Sequence, residues 1–528
     1  MRGRAMRAMG TGRLAAVLLA GVAALAGLAL SPGALTISLH EGDALHLAEI
    51  ALRMARGEVP HRDFMTPLGA LSAGPVALWM AAGAGFGISF LLAQVAVSLL
   101  LLPAAARAGA SRLPGPLALA FGAVVMVLVL ALVHGGGDGG VSISMHYNRW
   151  GWALAFVAIL LAVLPARAGC RAPVLDGAIA GLCMAALALL KATYLAAFLI
   201  PVVLGFALRR EWRAILAGLL AGLLVAGAVT AVWGIGFWPA YLHDLLAVAR
   251  SATRSQPGAD AAAILAAPQW LLAGLATVAG VILLRRSGRG DEGLLLLLLF
   301  PGFVYVTWQN WGNDPQWVWL VAVLLAALRP AAGDARAGLG GLAVALLAYG
   351  SPSLLNLAYS VPRQRALAAE ATALVPDGPL ADLRLAGTRS LRPNMLTPVA
   401  LPGVPPSDTP PLQIAGEALP DCQIQDGTVG WWRAVAGDLV TRGHAGAGVF
   451  AVDVLSPLGL FGFRPLRGGA PWSYGGLDGL EDADLVLVPL CPRSPETRAA
   501  IVAALAAADT PLREVGRSPL YILFSTAP

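Results

Sequence analysis

The chain has little charge. Asp, Glu, Lys and Arg make up 12% of its 528 residues against 58% hydrophobic residues, and the mean hydropathy is +0.73. A soluble globular domain carries roughly twice that share of charge, so the composition excludes one and implies a polytopic membrane protein. Lysine is nearly absent: Lys191 is the only one, and the net charge of +6 rests on arginine. The arginines sit in short clusters between apolar runs, which suits membrane topology and excludes nucleic acid as a partner. Cysteine is scarce too, and four residues do not make a disulfide scaffold. Cys170 and Cys183 lie near or within apolar runs, where cysteine serves as a small apolar residue. Cys422 and Cys491 fall in a C-terminal region of different character, where a disulfide is possible in an oxidising compartment.

What is abundant is apolar sequence. Arg2, Arg4, Arg7 and Arg13 precede a run over residues 14–30, which is either a signal peptide or, as we read it, a retained first spanning helix that starts in the cytoplasm. Further runs follow at 90–106, 114–133, 150–164, 174–190, 194–208, 215–232, 270–284, 294–306, 317–328 and 339–355, for about eleven crossings. The clusters Arg107/Arg112, Arg167/Arg171, Arg209/Arg210/Arg213, Arg285/Arg286/Arg289 and Arg329/Arg336 belong in the cytoplasm by the positive-inside rule. They all do so only if the milder segment 66–88, with Pro67 and Pro75, does not cross. It reads as an interfacial or re-entrant hairpin covered by protein, the alternative being a full crossing that inverts everything after it.

Two parts follow: a polytopic membrane domain, 1–361, with its active-site loops on the outer face, and an extracytoplasmic soluble α/β domain, 362–528. The second is proline-rich over 393–411 and shows strand-like runs at 448–454, 485–489 and 520–524, with helix-like runs at 429–441 and 498–508. The expected location is the cell inner membrane, multi-pass, with the N-terminus cytoplasmic and the C-terminal domain periplasmic or extracellular.

The outer loops collect the unusual polar residues. Glu41 and Asp43 stand beside the end of the first spanning run, where carboxylates are costly unless they reach water or a polar cavity; an ordinary wetted loop is the competing reading. Asp43, His46, Glu49 and Arg53 are spaced for one face of an interfacial helix over 43–56. The loop 134–140, His-Gly-Gly-Gly-Asp-Gly-Gly, holds Asp138 and leads to Asn148 and Arg149; its glycines either let backbone approach a ligand or make a linker. Lys191 ends an apolar run at the outer boundary, placed to pair with a lipid phosphate or to snorkel. Trp311, Asn313 and Asp314 interleave a ring, an amide and a carboxylate, as a sugar site does and as interfacial tryptophans also do. No His/Asp spacing is diagnostic of a metal site.

The run Glu41-Gly42-Asp43, then Leu47-Ala48-Glu49-Ile50-Ala51, Arg53-Met54, Gly57, Val59-Pro60-His61-Arg62-Asp63-Phe64 and Pro67-Leu68, resembles the GT-C class of membrane glycosyltransferases. Within it the chain looks most like the lipid A aminoarabinose transferases and the protein O-mannosyltransferases. The match is specific over 41–68 and architectural elsewhere. The resemblance implies a polyprenyl-phosphate-linked sugar donor and transfer to a lipid, glycan or protein acceptor on the outer face. It puts the catalytic base at Asp43, with Ala44 where the family has the second acid of a pair and Glu41 two residues earlier, so the base lies between Asp43 and Glu41. Lys191 and Arg149 are expected on the donor phosphate, and Asp138, Asn148, Trp311, Asn313 and Asp314 on sugar or acceptor. No cofactor is indicated, although a divalent metal is compatible with the family. A transporter or flippase of lipid-linked saccharides is the rival reading.

Overall fold

Every run expected to cross forms a helix, because each is apolar and free of interior breakers that neighbouring helices cannot cover. The computed structural model describes residues 9–137, 139–254, 262, 268–310, 314–398 and 411–526. It opens with helix α1 (Thr11–Leu30), strand β1 (Leu35–Ile37), α2 (Glu41–Ala55) and the short α3 (Gly74–Ala81). There follow α4 (Phe86–Arg112), α5 (Gly115–Leu130), α6 (His146–Val163), α7 (Pro173–Leu190), α8 (Ala192–Leu208), α9 (Trp212–Trp233), α10 (Phe237–Arg250), α11 (Pro268–Arg286), α12 (Gly290–Trp308), α13 (Trp317–Ala327) and α14 (Asp334–Leu367).

Among the described residues six helices, α1, α4, α7, α9, α12 and α14, are long and apolar enough to cross a membrane, and α5, α8 and α13 are apolar but shorter. The exposure of α9 is the physical argument for a bilayer: its Leu224 is 72% exposed, and a whole apolar helix facing outward needs lipid as its solvent. It is held by α7 at very close range. A Cβ on Gly177 would stand 2.0 Å from Ala214 O and one on Gly181 2.2 Å from Gly218 O, so only glycine lets these two parallel helices meet.

The segment 66–88 has both ends against the C-terminal region. Phe64 bridges to Gly468 just before it, and the Gly87 and Ile88 amides donate to the Asp382 carboxylate at 2.9 and 2.8 Å. Both ends therefore reach the same region of the chain, with only a 3-10 turn and α3 between.

The division expected at 361 falls inside α14, which runs on to Leu367 with Pro362 internal. The two parts are also joined in one sheet: β1 pairs in parallel with β3 (Leu383–Ala386), and β3 pairs with β2 (Ala371–Ala373). Beyond them come two short strand pairs, β4 (Asn394–Leu396) with β7 (Gln423–Asp426) and β5 (Gln413–Ile414) with β6 (Glu417–Ala418), and a four-stranded sheet in the order β10–β11–β9–β8, from β8 (Val449–Ala451), β9 (Leu485–Pro489), β10 (Arg513–Arg517) and β11 (Tyr521–Ser525), with helices α15 (Thr428–Thr441) and α16 (Pro495–Ala507). β8 and β9 are parallel and the rest antiparallel. β10 was not expected, because an exposed edge strand of the sequence Arg-Glu-Val-Gly-Arg carries no apolar signal. Cys422 and Cys491 form a disulfide, and Cys170 and Cys183 are free.

Candidate functional site

Helix α2 carries the acidic residues and is pinned to the C-terminal region by Arg53. This side chain is 3% exposed, donates to Leu466 O at 2.8 Å and Asp63 O at 3.3 Å, and lies over the Phe64 ring. Its ion pair is with Glu58 at 2.6 Å, not with Glu49 one turn earlier. Glu49 turns instead to the C-terminal region, where a Cβ on Gly459 would stand 2.3 Å from its Oε1, and its Oε2 has no partner. Burial pushes the Glu49 carboxyl up to about 7, with Arg53 and Arg56 opposing. On the same helix His46 packs its ring 5.4 Å from Trp472, and burial holds it down to about 4, so it is neutral near pH 7.

Asp43 lies in the first turn of α2, where the helix dipole favours a carboxylate. Its Oδ2 accepts from Ser144 Oγ at 2.7 Å. Burial raises its pKa above the usual carboxylate value, the Ser144 hydrogen bond and the His40 and Arg493 charges pull it back, and Glu41 adds to the rise. The residues before both helices at this contact, His40 ahead of α2 and Met145 ahead of α6, adopt left-handed backbone at φ of 59° and 53°. Each costs about 1–2 kcal/mol for a non-glycine residue, strain of the kind that gathers at functional sites.

Ser144 ends the loop from α5 to α6, and that loop is fixed by main chain. The Ser38 and Leu39 amides donate to Val141 O at 2.8 and 3.2 Å, and Ser142 Oγ is 2.9 Å from His40 Nδ1. Arg149, expected on a phosphate, is 1% exposed and gives its guanidinium to this loop. It donates to Ala131 O at 3.0 Å, to Ser144 O at 3.3 Å and to Val133 O. Among the described residues every hydrogen bond it makes goes to a carbonyl, which places it behind Ser144.

Lys191 forms the whole connection between α7 and α8. Its ammonium donates to Asn148 Oδ1 at 3.1 Å and to Asn310 Oδ1, and stands 5.3 Å from the centre of the Tyr147 ring. Asn148 thus positions the lysine, although its Nδ2 has no partner. Arg254 lies within electrostatic reach of Lys191, Tyr147 and Tyr474, and is steadied by Gln309 at 3.3 Å. Tyr147 and Tyr474 in turn feel the Asp43 charge. Asp43 and Arg254 thus both act on the two phenols, Arg254 also acts on Lys191, and Tyr474 of this cluster is supplied by the C-terminal region.

Sequence reasoning did not single out Tyr474, Ser144, Tyr147 or Arg254. Glu41 lies at the margin, where its charge acts on Asp43 and on Arg389 of the C-terminal region. Asp314 is turned elsewhere: it accepts from Ser353 on α14 and from the Gly136 amide, while Asn356 donates to Gly136 O at 2.9 Å. It ties the glycine loop to α14. Asp138, Trp311 and Asn313 lie outside the described residues. Among the described residues no three His, Cys, Asp or Glu side chains gather in a metal-binding arrangement.

An apolar groove of about 510 Å³ runs between α7, α8 and α9, lined by Gly177, Met184, Leu199, Phe206, Leu223 and Trp238. Its Leu189 wall is two residues from Lys191 in the chain.

No family model matches the chain, and neither does any curated protein or any solved structure.

Proposed function

We propose that the protein is an integral membrane glycosyltransferase that moves a sugar from a polyprenyl-phosphate-linked donor to an acceptor hydroxyl at the outer face. The observation that carries this reading is a cluster of charge at the ends of apolar helices. The Asp43 carboxylate, held by Ser144, and the Arg254 guanidinium both act on Tyr147 and Tyr474, and the Lys191 ammonium stands 5.3 Å from the centre of the Tyr147 ring. Acceptor activation needs a base, and a phosphate leaving group needs fixed positive charge.

In this mechanism Asp43 takes the proton of the acceptor hydroxyl. The acceptor oxygen forms a bond to the anomeric carbon as the bond from that carbon to the phosphate oxygen breaks, and the electron pair leaves on the polyprenyl phosphate. Lys191 and Arg254 hold the departing charge. A single displacement of this kind inverts the anomeric configuration. Arg149 is a positioning residue: by holding the carbonyls of Ala131, Val133 and Ser144 it sets the loop whose serine fixes the base. The groove between α7, α8 and α9 offers an apolar surface of the kind a prenyl chain covers. The larger architecture in this proposal is a GT-C-like bundle of about eleven crossings, the shorter apolar helices tilting or kinking among the long ones. The C-terminal region is extracytoplasmic, and the Cys422–Cys491 disulfide suits an oxidising compartment.

The test is sugar transfer from a labelled pool of polyprenyl-phosphate sugars in membranes with and without the protein. Labelled acceptor that appears only with the protein supports the reading. Labelled donor that merely changes leaflet, with its sugar still attached, identifies a flippase instead.

A further inference from the structure

The hydroxyls of Tyr147 and Tyr474 make no hydrogen bond among the described residues, and neither is a sealed, unpaired buried atom, so both stay accessible. Both feel charges of opposite sign, Asp43 and Arg254, and Lys191 Nζ stands 5.3 Å from the centre of the Tyr147 ring. The strand of chain that carries Tyr474 is fastened to the chain that carries Arg254. Ser251 Oγ donates to Tyr474 O at 2.8 Å, and a Cβ on Gly475, whose φ is +86°, would meet Thr253 at 3.0 Å.

Part of the donor capacity of the two cations is already in use. Lys191 already spends two of its three donors on Asn148 and Asn310, and Arg254 gives an Nη2 hydrogen to Gln309. A phosphate diester offers only acceptors, and close to the Asp43 carboxylate it also needs donors that separate the two negative groups. A neutral phenol does both. Burial and the Asp43 charge hold the Tyr474 hydroxyl above its usual pKa, so it keeps its proton at any physiological pH.

We propose that Tyr474, from the C-terminal region, and Tyr147, from the start of α6, donate hydrogen bonds to the phosphate of the lipid-linked donor, so that the C-terminal region forms part of the donor site. This rests on the donor class proposed above and adds a role for a region whose purpose the sequence did not reveal.

The experiment uses the full chain in detergent and measures binding of a long-chain polyprenyl phosphate and of the matching polyprenol, by native mass spectrometry or fluorescence titration. Tyr474→Phe and Tyr147→Phe keep ring and packing, with Tyr359→Phe on the exposed face of α14 as control and melting curves confirming the fold. The expected result is a dissociation constant for the phosphate raised about tenfold or more in Tyr474→Phe and in Tyr147→Phe, as for loss of a hydrogen bond to a charged group, with alcohol binding unchanged. Wild-type affinity in both variants, with the phosphate still preferred to the alcohol, overturns this proposal alone. A wild-type protein that binds phosphate and alcohol equally overturns it together with the donor class.

Discussion

Ser144 Oγ donates to Asp43 Oδ2 at 2.7 Å, linking the loop ahead of α6 to the first turn of α2. The bond opposes burial, which by itself holds Asp43 above the usual carboxylate range. Catalysis by a base requires the ionised form, so activity rises as pH rises through the Asp43 pKa. Ser144→Ala removes a group that lowers this pKa. The acid limb of the pH–rate profile of Ser144→Ala is therefore expected at higher pH than in the wild type, with rates converging on the alkaline side. A limb that stays in place or moves down would remove Asp43 from the role of base.

Lys191 and Arg254 are expected to act on the leaving group. Lys191→Gln keeps a neutral donor for the two asparagine oxygens while losing the charge, and Arg254→Gln does the same beside Gln309. Each is expected to lower kcat by about a hundredfold, the typical loss when one stabiliser of developing negative charge is removed. Steady-state kinetics with a polyprenyl-phosphate sugar would show this, and unchanged kcat in both variants would contradict it.

Arg149→Lys separates positioning from phosphate binding. A lysine keeps the charge but cannot reproduce the planar fork that reaches three carbonyls. The expected outcome is a lower kcat with little change in the KM for the lipid donor, because the loop and Ser144 lose their setting. A raised KM with kcat intact would return Arg149 to the phosphate.

Glu49 makes docking of the C-terminal region depend on protons. Docked, its carboxyl is raised to about 7 from an ordinary 4.5, so the docked form binds the extra proton between these values. Docking strengthens as pH falls through this window, about tenfold per unit, and is flat above it. The groups around it are His46, Arg53, Arg56 and Glu58 on and near α2, with Arg464 and Asp478 lining the small cavity on the other side. Hydrogen-exchange protection over residues 455–470, corrected for the intrinsic pH dependence of amide exchange, should rise on acidification from pH 7 to pH 5 in the wild type and change far less in Glu49→Gln. An equal response in both would assign the effect to another group.

The helices were legible because lipid-facing and bundle-facing helices are both apolar, and Pro67 and Pro75 announced the broken course of 66–88, a 3-10 turn and one short helix. The strands at 485–489 and 520–524 appear as apolar runs, while β10 has no such signature. The site was only partly legible. Asp43 and Lys191 stand out against an apolar background, but the role of Arg149 depends on carbonyl acceptors, which carry no side-chain signature. Asp314 read as a site residue because a carboxylate in an aromatic loop looks alike whether it faces a ligand or, as here, Ser353 and Gly136. Tyr474 was hidden by distance along the chain: only folding of the C-terminal region over α2 brings it near Asp43.

The most direct measurement of the central claim is transfer from a labelled polyprenyl-phosphate sugar by Asp43→Asn and Glu41→Gln at matched protein levels, with folding checked by melting temperature. The account predicts that Asp43→Asn abolishes transfer while Glu41→Gln, at the margin of the cluster, retains most of it. Transfer that survives in folded Asp43→Asn and disappears in Glu41→Gln would contradict it.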